Sequence, residues 1–203
     1  MDHKLKGLLT HSVEAGGFGS LHGPNRCKEL DNVKNNSGVL KDEAELLLKE
    51  YERIHSVESQ NGSVPGYVDD FNVTGASVSE KLQSLYNKFV LFHLHMLKVE
   101  EYQVIWDINV SEIKPWSQVK GELQLLSNAI KHILKWMYPE SPLPPTLAPL
   151  QVSHSHDYAK KEYGWNVIAT LKDWQQEVVW VIDEAQQVCH QRSLTAKRKS
   201  HSS

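Results

Sequence analysis

Glutamate and histidine with the spacing of a di-metal motif occur at Glu52 and His55. Bundles that bind two metal ions pair two such Glu-x-x-His motifs on facing helices, and this sequence has no suitable second one. A second pair, His154 and His156, lies in a predicted loop without further ligands nearby, so we expect it to be solvated. The sequence therefore predicts neither a metal site nor another cofactor.

Motifs for catalysis are also missing from the sequence. It contains no phosphate-binding G-x-x-x-x-G-K loop, no G-x-G-x-x-G fingerprint and no G-x-S-x-G nucleophile turn. Without an anion cradle or an activated nucleophile, we expect a protein that is not an enzyme. The net charge of −3 gives no reason to expect nucleic acid as a partner. No segment approaches the roughly 20 apolar residues of a membrane span, so membrane insertion is not expected.

Aromatic residues near the end of the chain are a stronger chemical signal. Four of them lie partly off the apolar face of a predicted helix: Tyr158, Tyr163, Trp165 and Trp180. Two interpretations are open. A wide core takes these rings in, or those next to the basic Lys160 and Lys161 form an anchor patch for a partner protein, because Tyr and Trp dominate binding hot spots.

Four segments with helical periodicity would position these side chains. Each repeats apolar residues three and four positions apart, which places them on one face of a helix. The second segment opens with the capping-box pair Ser77 and Glu80, and Pro115 is suited to the first turn of the third. The last carries two apolar seams, one of which includes Trp174. The predicted helices span about residues 39–56, 78–106, 115–137 and 158–191. An extension of the first helix back to residue 26 is an open alternative, although the polar residues and glycine at 35–38 would weaken it there.

The links between these helices are long, short and long. Glycine and proline mark the long links, residues 56–77 and 138–157, and a short link joins the second helix to the third. This rhythm predicts an all-α, long-chain four-helix bundle, up-up-down-down, with two long crossover loops. The predicted domain covers residues 26–191, between a flexible arm at 1–25 and a basic flexible tail at 192–203.

Two features bear on the cellular compartment and do not agree. The N-terminal residues lack the apolar stretch of about 7–15 residues that a secretory leader needs. Yet glycosylation sequons occur at Asn35, Asn61, Asn72 and Asn109, and the last three fall in predicted links. Either export is unconventional and the sequons stay bare, or a leader is missing from this sequence.

The two cysteines, Cys27 and Cys189, cannot build a multi-disulfide scaffold or a Cys-rich zinc site. A single bridge between them and two free thiols remain open alternatives.

The run from residue 158 to residue 174 resembles the opening of helix D in ciliary neurotrophic factor and the cardiotrophins. Those cytokines carry an aromatic-x-x-Lys step, a Gly three residues later, an aliphatic residue three further on, and a Leu-x-x-Trp. The corresponding residues here are Tyr158 and Lys161, Gly164, Val167, and Leu171 with Trp174. Residues 66–72 are similar to the link of cardiotrophin-like cytokine, and residues 80–83 to the start of helix B. The likeness identifies the chain with the long-chain helical cytokines of the interleukin-6 family.

This resemblance implies a secreted, monomeric cytokine that brings together two receptor chains. These would be a glycoprotein-130-type subunit and a leukaemia-inhibitory-factor-receptor-type chain, whose tails activate Janus kinases and STAT factors. The family uses its aromatic-x-x-Lys step for the second receptor. The resemblance thus implies receptor contacts at Tyr158 and Lys161, with Lys160, Trp165 and Trp174 beside them. A face of the first and third helices would meet the other receptor.

The chain departs from ciliary neurotrophic factor at two positions that serve that factor's alpha receptor. A basic and an acidic residue are replaced by Glu177 and Val181, so one charge is reversed and the other lost. Whether an alpha receptor or a secretion partner takes part is left open. The alternative function is an intracellular helical adaptor that binds peptides or helices without catalysis. Free thiols and the absence of a visible leader would suit it.

Overall fold

The computed structural model describes residues 26–57 and 71–200, with side chains described as far as Thr195. Within these residues the chain is all-helical, without a strand, and its helices pack as a bundle around one core. The predicted arm at 1–25 and the sequon at Asn61 lie outside the described residues. The helices are α1 (Cys27–His55), α2 (Val78–Ile105), α3 (Lys114–Met137), α4 (Asp157–Asp173) and α5 (Gln175–Ser200), with a 3-10 turn at Val110–Glu112.

Helices α2 and α3 begin and end within one residue of their predicted bounds. At the start of α2 the hydroxyl of Ser77 accepts a hydrogen bond from the backbone N–H of Glu80, at 3.2 Å. The carboxylate of Glu80 accepts in return from the N–H of Ser77, at 3.1 Å, which confirms the capping box. Pro115 lies in the first turn of α3, as predicted.

Helix α1 begins at Cys27, well before the predicted start at residue 39. The earlier residues contain Gly38 and neighbouring polar residues, which lower intrinsic helix propensity. Packing overrides this preference, because Leu30 and Val33 extend the buried stripe of α1 toward its start. Ser37 is also buried, and its hydroxyl donates to the carbonyl of Lys34 at 2.7 Å, so it satisfies its polar group within the helix.

The predicted last helix is two helices that meet at Trp174. The side-chain amide of Gln175 donates to the carbonyl of Leu171. The backbone N–H of Glu177 donates to the carbonyl of Trp174, three residues earlier, which is the tighter hydrogen bond of a 3-10 turn. The end of the helix also differs from the prediction. Helix α5 continues through Ser200 instead of stopping at residue 191, because neither glycine nor proline interrupts residues 192–200.

Side-chain contacts between helices fix which segments of the helices lie side by side. The start of α1 contacts the end of α3, and the end of α1 contacts both the end of α2 and the start of α4. The hydrogen-bonded pairs are Trp136 with Glu29 (2.8 Å), His55 with Gln103 (2.7 Å), Tyr51 with the carbonyl of Lys161 (3.1 Å), Lys81 with Glu184 (2.7 Å), and Lys120 with Glu100.

A disulfide joins Cys27 at the start of α1 to Cys189 in α5, with Cα atoms 6.0 Å apart. Of the two alternatives left open by the sequence, the structure therefore has the bridge. Both cysteines are 5% exposed and belong to the hydrophobic core. The bridge closes a loop of 162 residues, so it limits the unfolded chain strongly.

We expect replacement of both cysteines by serine to lower the free energy of unfolding by about 2–5 kcal/mol, since the unfolded chain gains entropy. Urea unfolding followed by circular dichroism measures the change. The wild-type chain after reduction is the control and should lose a similar amount. A midpoint equal to that of the oxidised wild type would contradict a stabilising bridge.

Gly164 lies where α4 packs closely against α1 and α2. A Cβ atom at this position would lie 2.7 Å from the ring carbon Cζ of Tyr51 and 2.9 Å from Cγ1 of Val99. Both neighbours are buried and cannot move away freely. The closeness of the three helices therefore requires a glycine at this point.

We expect Gly164→Ala to destabilise the protein by about 1–3 kcal/mol, because the added methyl group overpacks the junction. Gly121→Ala is the matched control. Gly121 is also helical, but nothing lies within 4 Å of its added Cβ, so the substitution should stabilise by about 0.5–1 kcal/mol. Thermal unfolding of the two variants measures the difference. Two shifts of the same sign would refute the close approach.

Candidate functional site

The start of α4 presents the predicted aromatic and basic residues in different ways. Tyr158 is 52% exposed, which is unusual for a large aromatic side chain. Lys161 is partly exposed, and its ammonium lies 5.6 Å from the ring centre of Trp106 at the end of α2. Tyr158 and Lys161 are therefore available on the surface, on a helix that α1 and α2 hold in place.

Lys160 is more restrained than Lys161. Its side chain is only 15% exposed and bonds the carboxylate of Asp157 at 3.2 Å. This hydrogen bond lowers the pKa of Asp157 below its ordinary value. The ammonium of Lys160 also lies 5.9 Å from the ring centre of Tyr102. Lys160 thus fixes the first turn of α4 and offers less contact surface than Tyr158.

Trp165 is half-buried and joins α4 to the end of α1. Its indole N–H donates to the carboxylate of Glu52 at 2.8 Å. Glu52 was one half of the Glu-x-x-His spacing noted in the sequence, and it serves here as the acceptor for an indole. The second half, His55, is 6% exposed and bonds Gln103.

Trp174 has a place in the core and is only 6% exposed. Its indole N–H donates to the carbonyl of Phe71 at 2.6 Å, and its ring packs against Phe89 and Phe92 at centroid distances of 5.2 and 5.1 Å. We therefore leave Trp174 out of the contact surface to which the resemblance assigned it. Its membership of an apolar seam in the last helix was the sequence signal for burial.

A buried layer of polar rings lies beneath the start of α4. We call it the ring layer; it consists of His95, Tyr102, His154 and Tyr163. His95 Nδ1 and the hydroxyl of Tyr163 are 2.6 Å apart, and the hydroxyl of Tyr102 and Nδ1 of His154 are 3.0 Å apart. The rings of His154 and Tyr163 have centres 4.7 Å apart. These contacts join α2, the link before α4, and α4 itself.

The ring layer corrects one expectation from the sequence. His154 is 7% exposed and bonded to Tyr102, so the prediction of a solvated pair is wrong for it, whereas His156 is exposed. Tyr163, one of the four aromatic residues noted in the sequence, is fully buried. No periodic pattern could indicate the burial of His154, because it lies in a link without regular structure.

Burial changes the protonation of the histidines at this end of the bundle. Desolvation lowers the pKa of His95 from 6.5 to about 4, and it lowers the pKa of His55 in spite of the hydrogen bond to Gln103. The unfolded chain therefore takes up these protons first as the pH falls. The contribution of neutral, buried His95 to the free energy of unfolding is therefore complete above about pH 6.5 and is lost progressively between pH 6.5 and 4.

The described sequons are exposed but differ in their local structure. Asn72 and Asn109 lie in links, as predicted, whereas Asn35 lies within α1. The side-chain carbonyl of Asn109 accepts from the N–H of Ser111 at 3.2 Å and from its hydroxyl at 2.6 Å.

Two further properties concern only the described part of the chain. Across residues 26–57 and 71–200, no three His, Cys, Asp or Glu side chains are grouped so that they could hold a metal ion. None of the described helices has a stretch that is long and apolar enough to traverse a bilayer. No protein-family model, no curated protein and no solved structure matches the chain.

The bond from Trp174 to Phe71 can be tested by replacing tryptophan with phenylalanine. We expect Trp174→Phe to lower the free energy of unfolding by about 1–3 kcal/mol, because it leaves a buried carbonyl without its donor. Trp165→Phe also removes an indole hydrogen bond, the one to Glu52, but at a half-buried position. It should lower the free energy of unfolding by less than about 1 kcal/mol. Urea unfolding compares them. Equal losses would mean that the bond to Phe71 does not stabilise the core.

Proposed function

We propose that the protein is an extracellular signalling ligand of the long-chain helical cytokine type. It would join a glycoprotein-130-type receptor chain and a leukaemia-inhibitory-factor-receptor-type chain, and would itself carry out no reaction. The observation that carries the proposal is the exposed Tyr158 beside the partly exposed Lys161 on the packed start of α4. It coincides with the aromatic-x-x-Lys step of the resemblance.

We further propose the up-up-down-down topology with two long crossover loops. Contact between the ends of α1 and α2, through His55 and Gln103, supports a parallel pair. Contact of the start of α1 with the end of α3, through Glu29 and Trp136, supports opposite directions for these two. The bridge between Cys27 and the late part of α5 supports opposite directions for α1 and the last helices.

The disulfide also supports an extracellular location. Structural disulfides persist in oxidising compartments and are rare in the reducing cytosol. The bridge therefore counts against an intracellular adaptor, whose case rested on free thiols and the lack of a visible leader. Export would also give Asn35, Asn72 and Asn109 access to glycosylation.

Contact with the leukaemia-inhibitory-factor-receptor-type chain would centre on Tyr158. An aromatic ring with a fixed backbone loses little conformational freedom on binding and buries a large area. The ammonium of Lys161 could meet an acidic or carbonyl group on the receptor. Trp165 and Lys160 would act mainly by holding the first turns of α4 in position.

A second contact face, for the glycoprotein-130-type chain, is proposed on neighbouring surfaces of α1 and α3. Leu46 on α1 and Leu125 on α3 are 52% and 47% exposed. Glu43 and Glu122, each three residues before one of these leucines, face one another, and burial together with the charge of Glu43 raises the pKa of Glu122. Exposed leucines beside close carboxylates would suit a partner with apolar and basic groups.

The proposal predicts loss of signalling from a change at the start of α4. We expect Tyr158→Ala combined with Lys161→Ala to raise the half-maximal concentration for STAT phosphorylation by about tenfold or more, since hot-spot side chains contribute about 2 kcal/mol each. The assay uses cells that bear both receptor chains. Circular dichroism should show the same helix content as in the wild type.

The matched control removes an aromatic ring and a lysine elsewhere. Trp180 is 49% exposed on α5, and the ammonium of Lys81 lies 4.5 Å from its ring centre. This pair lies outside both proposed faces, so Trp180→Ala with Lys81→Ala should signal nearly as well as the wild type. Full activity of the Tyr158 and Lys161 variant would remove these residues from the mechanism. An inactive wild type would reject the cytokine function.

A further inference from the structure

Three histidines are buried at the end of the bundle that carries Tyr158. His55, His95 and His154 are 6%, 0% and 7% exposed. They lie on three different elements: α1, α2 and the link before α4. Histidine is the side chain whose charge changes most readily between pH 5 and 8, so three buried copies at one end form an acid-sensitive region.

The contacts of these histidines hold the start of α4 in place. His95 bonds Tyr163 of α4, and the ring of His154 lies against the same tyrosine. His55 bonds Gln103 of α2, and its ring packs against Trp106, over which the ammonium of Lys161 lies. His95 and His154 thus contact α4 directly, and His55 is separated from Lys161 of α4 by one side chain, that of Trp106.

Charged groups from α1, α2 and α4 lie near the three histidines. On the α4 side, the ammonium of Lys161 lowers the pKa of His55 further. Near Tyr102, which bonds His154, lie the ammonium groups of Lys98 and Lys160, at 5.1 and 5.9 Å from its ring centre. Each ammonium is also bonded to a carboxylate, that of Glu101 and that of Asp157 respectively. From α1, the carboxylate of Glu52 is bonded to the indole of Trp165, and burial raises the pKa of Tyr51, which therefore stays uncharged.

We propose that these three histidines form an acid-sensitive release device for the receptor contact at the start of α4. In a compartment near pH 5.5, proton uptake would free the start of α4 and the preceding link from α2, and Tyr158 and Lys161 would lose their fixed positions. The bound ligand would then leave its receptor after internalisation. This inference rests on the proposed function, whereas the opening of α4 itself does not.

The expected size of the effect follows from the histidine that is shifted most. For His95, a fall from pH 7.4 to 5.5 should increase the population of the opened segment about tenfold, because the opened form takes up a proton that the closed form excludes. His55 should add to this in the same direction. Opening of the disulfide end of the bundle should not depend on the protonation of these histidines.

The first experiment uses the free chain and no receptor. Amide hydrogen exchange is measured at pH 7.4 and 5.5 and corrected for the intrinsic effect of pH on exchange. We expect protection of residues 152–165 to fall about tenfold or more relative to that of residues 27–37. Equal changes in the two segments would overturn the proposal.

Variants separate the histidines from other acid effects. His95→Gln combined with His55→Gln keeps hydrogen-bonding groups at both positions but cannot take up protons, so most of the pH effect should disappear. His156→Gln, at an exposed neighbour of His154, should leave the effect intact. The single variants replace the double variant if its circular-dichroism spectrum shows loss of helix. A folded variant that retains the full pH effect would overturn the proposal.

The second experiment measures dissociation of the wild type and the double variant from the leukaemia-inhibitory-factor-receptor-type chain at both pH values. We expect the dissociation rate of the wild type to rise at pH 5.5 by about tenfold, and that of the double variant to rise clearly less. Equal rises would refute the release device. Absence of binding at pH 7.4 would instead reject the proposed function, and the exchange result on the free chain would stand separately.

Discussion

The close approach of α4 to α1 and α2 at Gly164 determines how the candidate contact surface is built. Because this residue has no side chain, the ring of Tyr51 can reach across and donate its hydroxyl to the carbonyl of Lys161 at 3.1 Å. Burial raises the pKa of Tyr51, so the hydroxyl keeps its proton and remains a donor. The backbone of Lys161 is thereby fixed to α1, and Tyr158 follows from the geometry of one helical turn.

Trp174 performs a corresponding role for the link before α2. The ring of Phe71 stacks on Phe92 at 3.8 Å, and the carbonyl of Phe71 accepts the indole N–H of Trp174. Phe71 therefore lies between α2 and the junction of α4 with α5. An indole both fills this space and satisfies a buried carbonyl, which explains why a large polar aromatic residue is suited to the point where the last helix breaks.

The sequence predicted those parts of the fold that depend on local signals. The capping box at Ser77 and Pro115 in the first turn of α3 gave accurate starts, because these residues satisfy or remove free backbone N–H groups locally. The start of α1 at Cys27 was only an open alternative, because the low helix propensity around Gly38 favoured a later start; burial of Leu30 and Val33 overcomes that propensity.

In the candidate site, too, features with a local sequence signal could be predicted, and features that depend on the tertiary fold could not. The exposure of Tyr158 could be predicted, because the residue lies off the apolar seams of the last helix. The burial of His154 could not be predicted, because a link has no period that assigns a side chain to the core. Its partner Tyr102 lies 52 residues away in the chain, and only the tertiary fold brings the two together.

The two ends of the bundle are closed by different chemistry, and this difference decides where the protein can open. At one end, Cys27 and Cys189 are joined covalently, and the bond does not depend on pH in the range of histidine titration. The other end lies near Tyr51, about 36 Å from Cys27 along α1 by helical rise. There, hydrogen bonds between histidines and tyrosines join α2, the link before α4, and α4. Local opening has a lower free-energy cost where buried polar contacts can exchange for water than where a covalent bond must break. The start of α4 combines the exposed Tyr158 with these polar contacts, so under the proposed function recognition and release would involve the same few turns of helix.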